Sequence, residues 1–368
     1  MKLRLFGLPL IGAALLAFGA QSALAAQGTG TVFVQTDNLE GNSVVVYGRS
    51  AEGTLTAAHS YPTGGKGGQL TGSVADHLAS QGSLVYDRAA KTLLAVNAGS
   101  GTVAVFGVYG SRLALRQDVS SGGSFPASIT VHRNLVYVLN AAGGGSLQAY
   151  RLHNGHLAPL GEATQLNLPE AAPQFVHTPG EVTFTPSGRQ LIVTTKATTN
   201  AVLVFRVGAH GALSTPSSDA TSAGVPFGAV FDRQGHLLVV EAAGALGDYT
   251  VNGNGTLTQL DSTVTGQAAS CWIVYSRGYA YVSNAGSGTI GTFGSLAGGQ
   301  LYEPFGNTGT DPGTVDATVA GGGRYLYVQA GAEGLLDEYR IEASGTPVQI
   351  GSLAVPGAAG GEGIAAAG

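Results

Sequence analysis

The hydrophobic residues of this chain repeat a short pattern seven times. Each copy is an alternating apolar run that ends in an aromatic residue, followed after a turn by Gly-x-Leu or a variant of it. Successive aromatic residues are 44 to 59 residues apart, the period expected when one repeat is a small sheet that must stack on its neighbours. The pattern therefore predicts an all-β, seven-bladed propeller. The seven aromatic residues are Tyr47, Phe106, Tyr150, Phe205, Tyr249, Phe293 and Tyr339.

A second kind of apolar run precedes each aromatic strand, and its hydrophobic residues are almost continuous. The run from Leu135 to Asn140 is an example. Such runs are typical of strands that are covered on both faces, as in the middle of a blade packed between two others. A further short strand lies before most of them. Each blade is therefore predicted to contain four antiparallel strands.

The two ends of the chain are predicted to close the ring. The first blade begins directly at its second strand, Thr31 to Thr36, with no inner strand before it. The tail from Gly361 to Ala366 is similar to the segment from Gly180 to Phe184, which starts an inner strand in the fourth blade. We expect the C-terminal tail to supply the innermost strand of the first blade, because this leaves no open sheet edge.

The first 25 residues have the pattern of a secretory signal. Lys2 and Arg4 precede an apolar run, and Ala23 to Ala25 supply the small residues that a signal peptidase requires. The run is too short to span a membrane as a helix, and no later segment is long and apolar enough. We therefore expect a signal peptide at 1–25, a propeller at 26–368 and a secreted or periplasmic location.

Charge and cysteine content exclude several classes of partner and chemistry. Lys2 and Arg4 account for two of the 17 basic residues, so the mature chain would carry 15 basic against 22 acidic residues. No basic stripe is present, so nucleic acid is not expected as a partner. Cys271 is the single cysteine, which rules out an internal disulfide, and we expect it to be buried. We expect a monomer that binds a small molecule.

Topology places the entry to each inner strand and the exit of each second strand on one face, because these strands are antiparallel neighbours. This face also receives two unusually long connections, about 61–81 and 163–179. Long ordered loops on a rigid scaffold usually carry function. We call the face that carries these two connections the top face, and we expect a site in a central funnel there.

Three carboxylates, Glu181, Asp316 and Glu362, occupy matching positions of three inner strands near the mouth of the channel. Like charges brought together there would repel unless a cation or a shared proton intervened. These residues are therefore candidate ligands of a divalent cation, while no cofactor is certain. The alternative is that they face water in a wide channel and only keep it hydrated.

Two histidines, His77 and His177, lie in the two long loops, and each has an acidic residue nearby in sequence, Asp76 and Glu181 respectively. Either could act as a general base with the carboxylate orienting it, and the alternative is a structural role. Five further histidines are expected as exposed bystanders on turns of the opposite face: His132, His153, His156, His210 and His236.

Polar residues at the ends of the second strands are candidates for substrate binding. Lys196 could bind a substrate carboxylate or an oxyanion, or it could be a plain charge at the rim. The other candidates are Glu241, Asn97, Asn140 and Asn284.

The segment from Phe184 to Val193 and the third strand ending at Phe205 resemble the lactonase-like seven-bladed propellers. That family includes the propeller type of 6-phosphogluconolactonase and the carboxymuconate cyclases. The segments from Val225 to Asp232 and from Ser283 to Thr289 are similar to those of its exported bacterial members. One departure is Pro179-Gly180-Glu181, where the phosphogluconolactonase branch typically has Pro-Arg-His.

The first hypothesis is an exported lactonase-type hydrolase that opens a small lactone or ester in the funnel. His177 or His77 would be the base, and Glu181 and Glu241 would orient it or bind a cation. An alternative is a non-catalytic propeller that binds a glycan, peptide or protein partner through its long loops. A third hypothesis is a lyase or cycloisomerase acting on an unsaturated diacid, for which Lys196 would matter more than His177.

Overall fold

Seven antiparallel sheets surround a central channel in the computed structural model, which describes residues 29–368. The predicted all-β, seven-bladed propeller is confirmed. Each blade has four strands from the channel to the rim, and in two blades the outermost strand is divided into two short pieces. The apolar runs form these strands because β-branched and aromatic residues pack well on a pleated surface covered on both faces.

The strands are numbered in chain order, beginning with the first four blades. Blade 1 contains β1 (Gly30–Gln35), β2 (Ser43–Arg49) and β3 (Leu55–Pro62). Blade 2 contains β4 (Leu84–Asp87), β5 (Thr92–Asn97), β6 (Thr102–Tyr109) and β7 (Arg112–Ser120). Blade 3 contains β8 (Pro126–His132), β9 (Leu135–Asn140), β10 (Ser146–His153), β11 (His156–Pro159) and β12 (Thr164–Gln165). Blade 4 contains β13 (Glu181–Phe184), β14 (Gln190–Thr194), β15 (Ala201–Arg206) and β16 (Ser217–Ala220).

The last three blades and the closing strand follow the same plan. Blade 5 contains β17 (Pro226–Phe231), β18 (Leu237–Glu241), β19 (Ala245–Val251) and β20 (Leu257–Val264). Blade 6 contains β21 (Ser270–Ser276), β22 (Tyr279–Asn284), β23 (Thr289–Ser295), β24 (Leu301–Tyr302) and β25 (Asn307–Gly309). Blade 7 contains β26 (Thr314–Ala320), β27 (Tyr325–Ala330), β28 (Leu335–Ile341) and β29 (Pro347–Ala354), and the chain ends with β30 (Ile364–Ala367). Helical structure within 29–368 is limited to three 3-10 turns at Gln174–Val176, Lys196–Thr198 and Ala209–Gly211.

Strand β30 closes the ring as predicted. It pairs antiparallel with β1, so that Val34 lies opposite Ile364 and Thr31 opposite Ala367. Blade 1 therefore has the strand order β3-β2-β1-β30, with the end of the chain at the channel. The ring has no open inner edge as a result.

The hydrophobic core lies between the blades. The seven repeated aromatic residues are each at most 2 % exposed, and two tyrosines among them also donate a hydrogen bond across a blade boundary. The hydroxyl of Tyr150 donates to the carbonyl of Ser120 in blade 2, and that of Tyr339 donates to Gly309 in blade 6. The repeat aromatic thus fills the gap between neighbouring sheets, which explains why the pattern needs it once in every blade.

The predicted signal peptide at 1–25 lies outside the described residues. Within 29–368, no helix has both the length and the apolar character needed to cross a membrane.

Candidate functional site

The first long loop folds inward over the top of the channel. We call its residues 76–81 the strap. The backbone amide of Ser80 donates to Glu362 at 3.2 Å, and the indole of Trp272 donates to the carbonyl of Ser80 at 2.5 Å. The side chain of Gln81 accepts from the amide of Ile273 at 2.8 Å and donates to Glu181 at 3.2 Å. The strap is therefore fixed to the inner strands of blades 4 and 6 and to the C-terminal tail.

Two cavities lie on either side of the strap. The upper cavity, of about 530 Å³, opens to the top face above blades 4 to 6 and has Asp76 and Ala79 of the strap in its wall. The lower channel, of about 280 Å³, is enclosed by the inner strands and is lined by Gln81, Glu181 and Asp316. The strap thus divides the predicted central funnel into an upper cavity and a channel beneath it.

The wall of the upper cavity is largely apolar and holds few ionisable side chains. Its apolar residues include Phe175, Val176, Val225, Phe227 and Trp272. Two charged side chains, those of Asp76 and Lys196, lie in this wall, together with the thiol of Cys271. Cys271 is buried as predicted, and burial raises the pKa of its thiol. A thiolate nucleophile is therefore disfavoured at this position.

Lys196 is fully buried, and its ammonium group connects both long loops to blade 4. It donates to the carbonyl of Ala79 at 2.7 Å, to the carbonyl of Phe175 at 2.6 Å and to the hydroxyl of Thr178 at 3.0 Å. Its nitrogen also lies 5.4 Å from the centre of the Phe227 ring. All three N–H groups are engaged by the protein, so this lysine can act on a bound molecule through its charge while it holds the loops in place.

The acidic and basic groups around the strap have strongly displaced pKa values. Burial raises the pKa of Asp76 to about 6, although Lys196 and the Ala79 amide oppose the shift. Burial lowers the pKa of Lys196 to about 8, with Asp76 and Glu362 opposing. Burial also raises the pKa of Glu362 well above its ordinary value, and Asp76 adds to that shift. Near pH 7, Asp76 is therefore mostly ionised and can accept a proton, while the upward shift of the pKa of Glu362 favours its neutral form.

The pKa values of the two carboxyl groups in the lower channel are also raised, which favours their neutral forms. Burial raises the pKa of Glu181 to about 8 despite hydrogen bonds from the Ala229 amide at 2.6 Å and from Gln81. Burial raises the pKa of Asp316 to about 7, and the Ala317 amide donates to it at 2.9 Å. Both groups are held by protein donors. At neutral pH Glu181 is mostly protonated and Asp316 is about half protonated.

The ligand atoms of the predicted cation ligands Glu181, Asp316 and Glu362 do not all lie within 4.8 Å of one another in the described part of the chain. Glu181 and Asp316 line the lower channel, whereas both oxygens of Glu362 accept hydrogen bonds from Ser80 in the strap. Within 29–368, the cluster of three or more His, Cys, Asp or Glu ligand atoms within 4.8 Å of one another lies elsewhere, in blade 5. A cation bound by these three carboxylates is therefore not favoured by this arrangement.

The two predicted histidine bases lie outside the upper cavity. His177 is half-buried, hydrogen-bonds through Nδ1 with the carbonyl of Pro173 at 3.0 Å, and lines a separate side cavity of about 440 Å³. His77 packs against Gly360 near the C-terminal tail, and burial lowers its pKa. The structure therefore does not bring either histidine into hydrogen-bonding contact with Glu181. Their catalytic roles remain predictions.

Glu241 and the three asparagines form hydrogen bonds within the scaffold. One oxygen of Glu241 accepts from the amides of Ala223 and Gly224 at 2.7 and 2.6 Å. The amide groups of the asparagines, all fully buried, donate to hydroxyl groups across the following hairpin. These pairs are Asn97 to Thr102 at 3.1 Å, Asn140 to Ser146 at 3.3 Å and Asn284 to Thr289 at 3.1 Å. A role for these four in substrate binding stays a prediction that no contact with the upper cavity supports.

Sequence reasoning missed the residue with the most suitable chemistry in this cavity, Asp76. Asp76 precedes His77 directly in the sequence, and its position in the long loop is a usable signal. His236, expected to be an exposed bystander, is also placed differently. Its side chain is 17 % exposed and lies between Asp232 and Asp248.

Residues 66–226 match the family model "Lactonase, 7-bladed beta-propeller". The resemblance to the lactonase family inferred from the sequence is thereby confirmed. The matched region contains the strap, Lys196 and the whole of blades 2 to 4. No curated protein matches the chain.

Solved structures with the same fold include members described as lactonases. The periplasmic gluconolactonase of Pseudomonas aeruginosa is 19 % identical with a TM-score of 0.72, covering 92 % of this chain and 99 % of that one. A candidate 6-phosphogluconolactonase from Bacteroides uniformis is 18 % identical with a TM-score of 0.73, covering 92 % and 98 %. One from Bacteroides fragilis is 16 % identical with a TM-score of 0.70, covering 92 % and 97 %. At these identities the likeness concerns the fold.

Proposed function

We propose that this chain is a lactonase-type hydrolase whose substrate binds in the upper cavity. The observation that carries the proposal is a largely apolar cavity of about 530 Å³ with one buried carboxyl group, Asp76, and one buried ammonium group, Lys196. The lactonase family match and the gluconolactonase among the similar folds support a lactone as substrate. Among residues 29–368, no arginine lines the cavity, which favours a small lactone without a phosphate group.

Asp76 is the general base in this proposal. With a pKa near 6 it is mostly ionised at neutral pH, and a carboxylate of this basicity can take a proton from water. The water oxygen forms a bond to the lactone carbonyl carbon, the ring C–O bond then breaks, and the proton passes to the ring oxygen. The product is an open hydroxy acid.

Lys196 stabilises the negative charge that develops on the carbonyl oxygen. Its N–H groups are occupied by Ala79, Phe175 and Thr178, so it contributes through its electric field in an apolar wall. Such a field is stronger in a cavity that excludes water than it would be in solution. Burial favours the neutral form of Glu362, which lessens the charge repulsion between this group and the Asp76 carboxylate.

The test is the replacement of Asp76 by asparagine, which keeps the size of the side chain and removes the base. We expect kcat/KM for the most active substrate in a panel of small lactones to fall by about 10²- to 10⁴-fold. In the wild-type enzyme, kcat/KM should rise with pH through about pH 6, following the pKa of Asp76.

His177→Ala is the matched control because this residue lines the neighbouring side cavity. We expect it to keep its activity. Loss of turnover in His177→Ala with normal turnover in Asp76→Asn would place the reaction in the side cavity and reject the proposal. Assays with and without a chelator test the predicted cation. A panel with no hydrolysed lactone in either condition would favour the alternative of a non-catalytic binding propeller.

We also propose that the chain is exported and cleaved after Ala25. The pattern of basic, apolar and small residues at its start supports this, and so does the periplasmic gluconolactonase with the same fold. Expression of the full chain in a Gram-negative host should yield a soluble protein outside the cytoplasm that begins at Ala26. Mass spectrometry of the intact protein measures this. A cytoplasmic protein that retains residues 1–25 would contradict the proposal.

A further inference from the structure

Three side chains of blade 5 meet on the face opposite the upper cavity. Asp232 and His236 lie in the turn between β17 and β18, and Asp248 lies in β19, the third strand of the blade. One oxygen of each carboxylate and Nδ1 of His236 all lie within 4.8 Å of one another. Nδ1 of His236 is 3.6 Å from Asp232 and 3.5 Å from Asp248.

Within the described residues 29–368, the three atoms that face each other have no hydrogen-bond partner, although all three are buried. They are Oδ2 of Asp232, Nδ1 of His236 and Oδ1 of Asp248. Asp232 is 7 % and Asp248 is 0 % exposed. Buried polar atoms are almost always paired in native proteins, so three unpaired atoms directed at one point require an explanation. The separations of 3.5 and 3.6 Å are too long for hydrogen bonds between them.

Both carboxylates are fixed by donors on their other oxygen. Oδ1 of Asp232 accepts from the amides of Gln234 and His236, each at 2.8 Å. Oδ2 of Asp248 accepts from the hydroxyl of Ser295 in blade 6 at 2.8 Å. Outer hydrogen bonds of this kind orient the ligands of metal sites and leave the inner atoms free to bind the ion.

We propose that Asp232, His236 and Asp248 bind a divalent transition-metal ion, with Zn²⁺ as the ion of best fit. Donor atoms about 2.0–2.1 Å from a tetrahedral Zn²⁺ lie about 3.4 Å apart, close to the separations seen here. One imidazole and two carboxylates suit Zn²⁺, whereas Ca²⁺ requires six to eight oxygen ligands. The partial exposure of His236 leaves a path for the ion and for water as the fourth ligand.

The bound ion would be structural. It would join the turn between β17 and β18 to β19, and through Ser295 it would connect blade 5 to blade 6. The ion lies on the face away from Asp76, so its loss is expected to change stability without removing the groups proposed for hydrolysis.

The test is a titration of the chelator-treated full chain with Zn²⁺ alone. We expect one equivalent to bind and the midpoint of thermal unfolding to rise. Asp248→Asn and His236→Ala should each weaken binding by at least about 10-fold. His153→Ala, which removes an exposed histidine from blade 3, should leave binding unchanged. Circular dichroism checks that each variant is folded. If His236→Ala does not fold, Asp232→Asn is tested in its place as a conservative variant.

Three results would overturn the proposal. They are no Zn²⁺ binding by the wild-type chain, binding that the Asp248→Asn variant retains in full, and equal stabilisation by Ca²⁺. In the first case the cluster would bind no ion and would serve only to pack β19 against the turn between β17 and β18.

Discussion

A chain that ends at Gly360 is expected to lose its cooperative unfolding transition. The deletion removes β30, which supplies the inner strand of blade 1, and exposes the edge of β1 at the channel. It also removes Ile364, which is 5 % exposed in the core between blades 1 and 7, and Glu362, which holds the strap. Loss of one buried isoleucine side chain alone costs about 2–5 kcal/mol of the free energy of unfolding, so the loss of a whole strand should exceed what a domain of this kind tolerates.

Thermal unfolding followed by circular dichroism and the elution volume on gel filtration measure this outcome. The truncated chain should also associate, because the exposed edge of β1 can pair with another chain. The control is Ile364→Ala in the complete chain, which should melt earlier but still cooperatively. A truncated protein that melts cooperatively within a few degrees of the wild type would show that ring closure by β30 contributes little.

The free energy of unfolding is expected to fall as pH rises because of Glu181. Burial raises the pKa of this group from 4.5 to about 8. Between those two values the folded state keeps a proton that the unfolded state has released, so the free energy of unfolding falls as pH rises through this window. The contribution of Glu181 is thus complete below about pH 4.5 and lost by about pH 8. Its size is on the order of 3–5 kcal/mol.

Glu181→Gln mimics the neutral acid and should remove this dependence. The amide oxygen of glutamine can accept the hydrogen bonds from Ala229 and Gln81 without a charge. We expect the variant to be more stable than the wild type at pH 8 and close to it at pH 5. Urea unfolding at both pH values measures the difference, with exposed Glu52→Gln as the control. Equal pH dependence in wild type and Glu181→Gln would contradict the assigned environment of Glu181.

Much of the fold could be predicted from the sequence because the information is local and repeated. The aromatic residue of each copy, such as Tyr150 or Tyr339, sits at one place in every blade, and seven copies at a regular period determine a closed ring. Even the closing strand was predicted, because the tail from Gly361 carries the pattern of an inner strand that blade 1 lacks.

The site was predicted less well because it is built from segments that do not repeat. Residues 76–81 cross the channel through contacts with Trp272 and Glu362, far away in sequence, and no local pattern encodes that path. The asparagines were assigned correctly to the ends of second strands. The direction of their side chains depends on the hairpin that follows, and there they bind hydroxyl groups such as that of Thr102.

The blade 5 cluster was missed for a related reason. His236 and Asp232 are four residues apart in a turn, which by itself suggests an exposed position. Asp248 completes the group from a strand two positions along the sheet, and Ser295 from the next blade fixes it. A site of this kind becomes visible only when strand pairing and blade packing are both known.

Lys196 has a consequence for how molecules enter the upper cavity. One ammonium group holds both loops that border the entrance, through Ala79 on one side and Phe175 and Thr178 on the other. Neither loop can move outward without breaking its hydrogen bonds to Lys196, the residue that also holds the other loop. The two loops should therefore open together. Loss of the proton from Lys196 would weaken its hydrogen bonds to both loops at once.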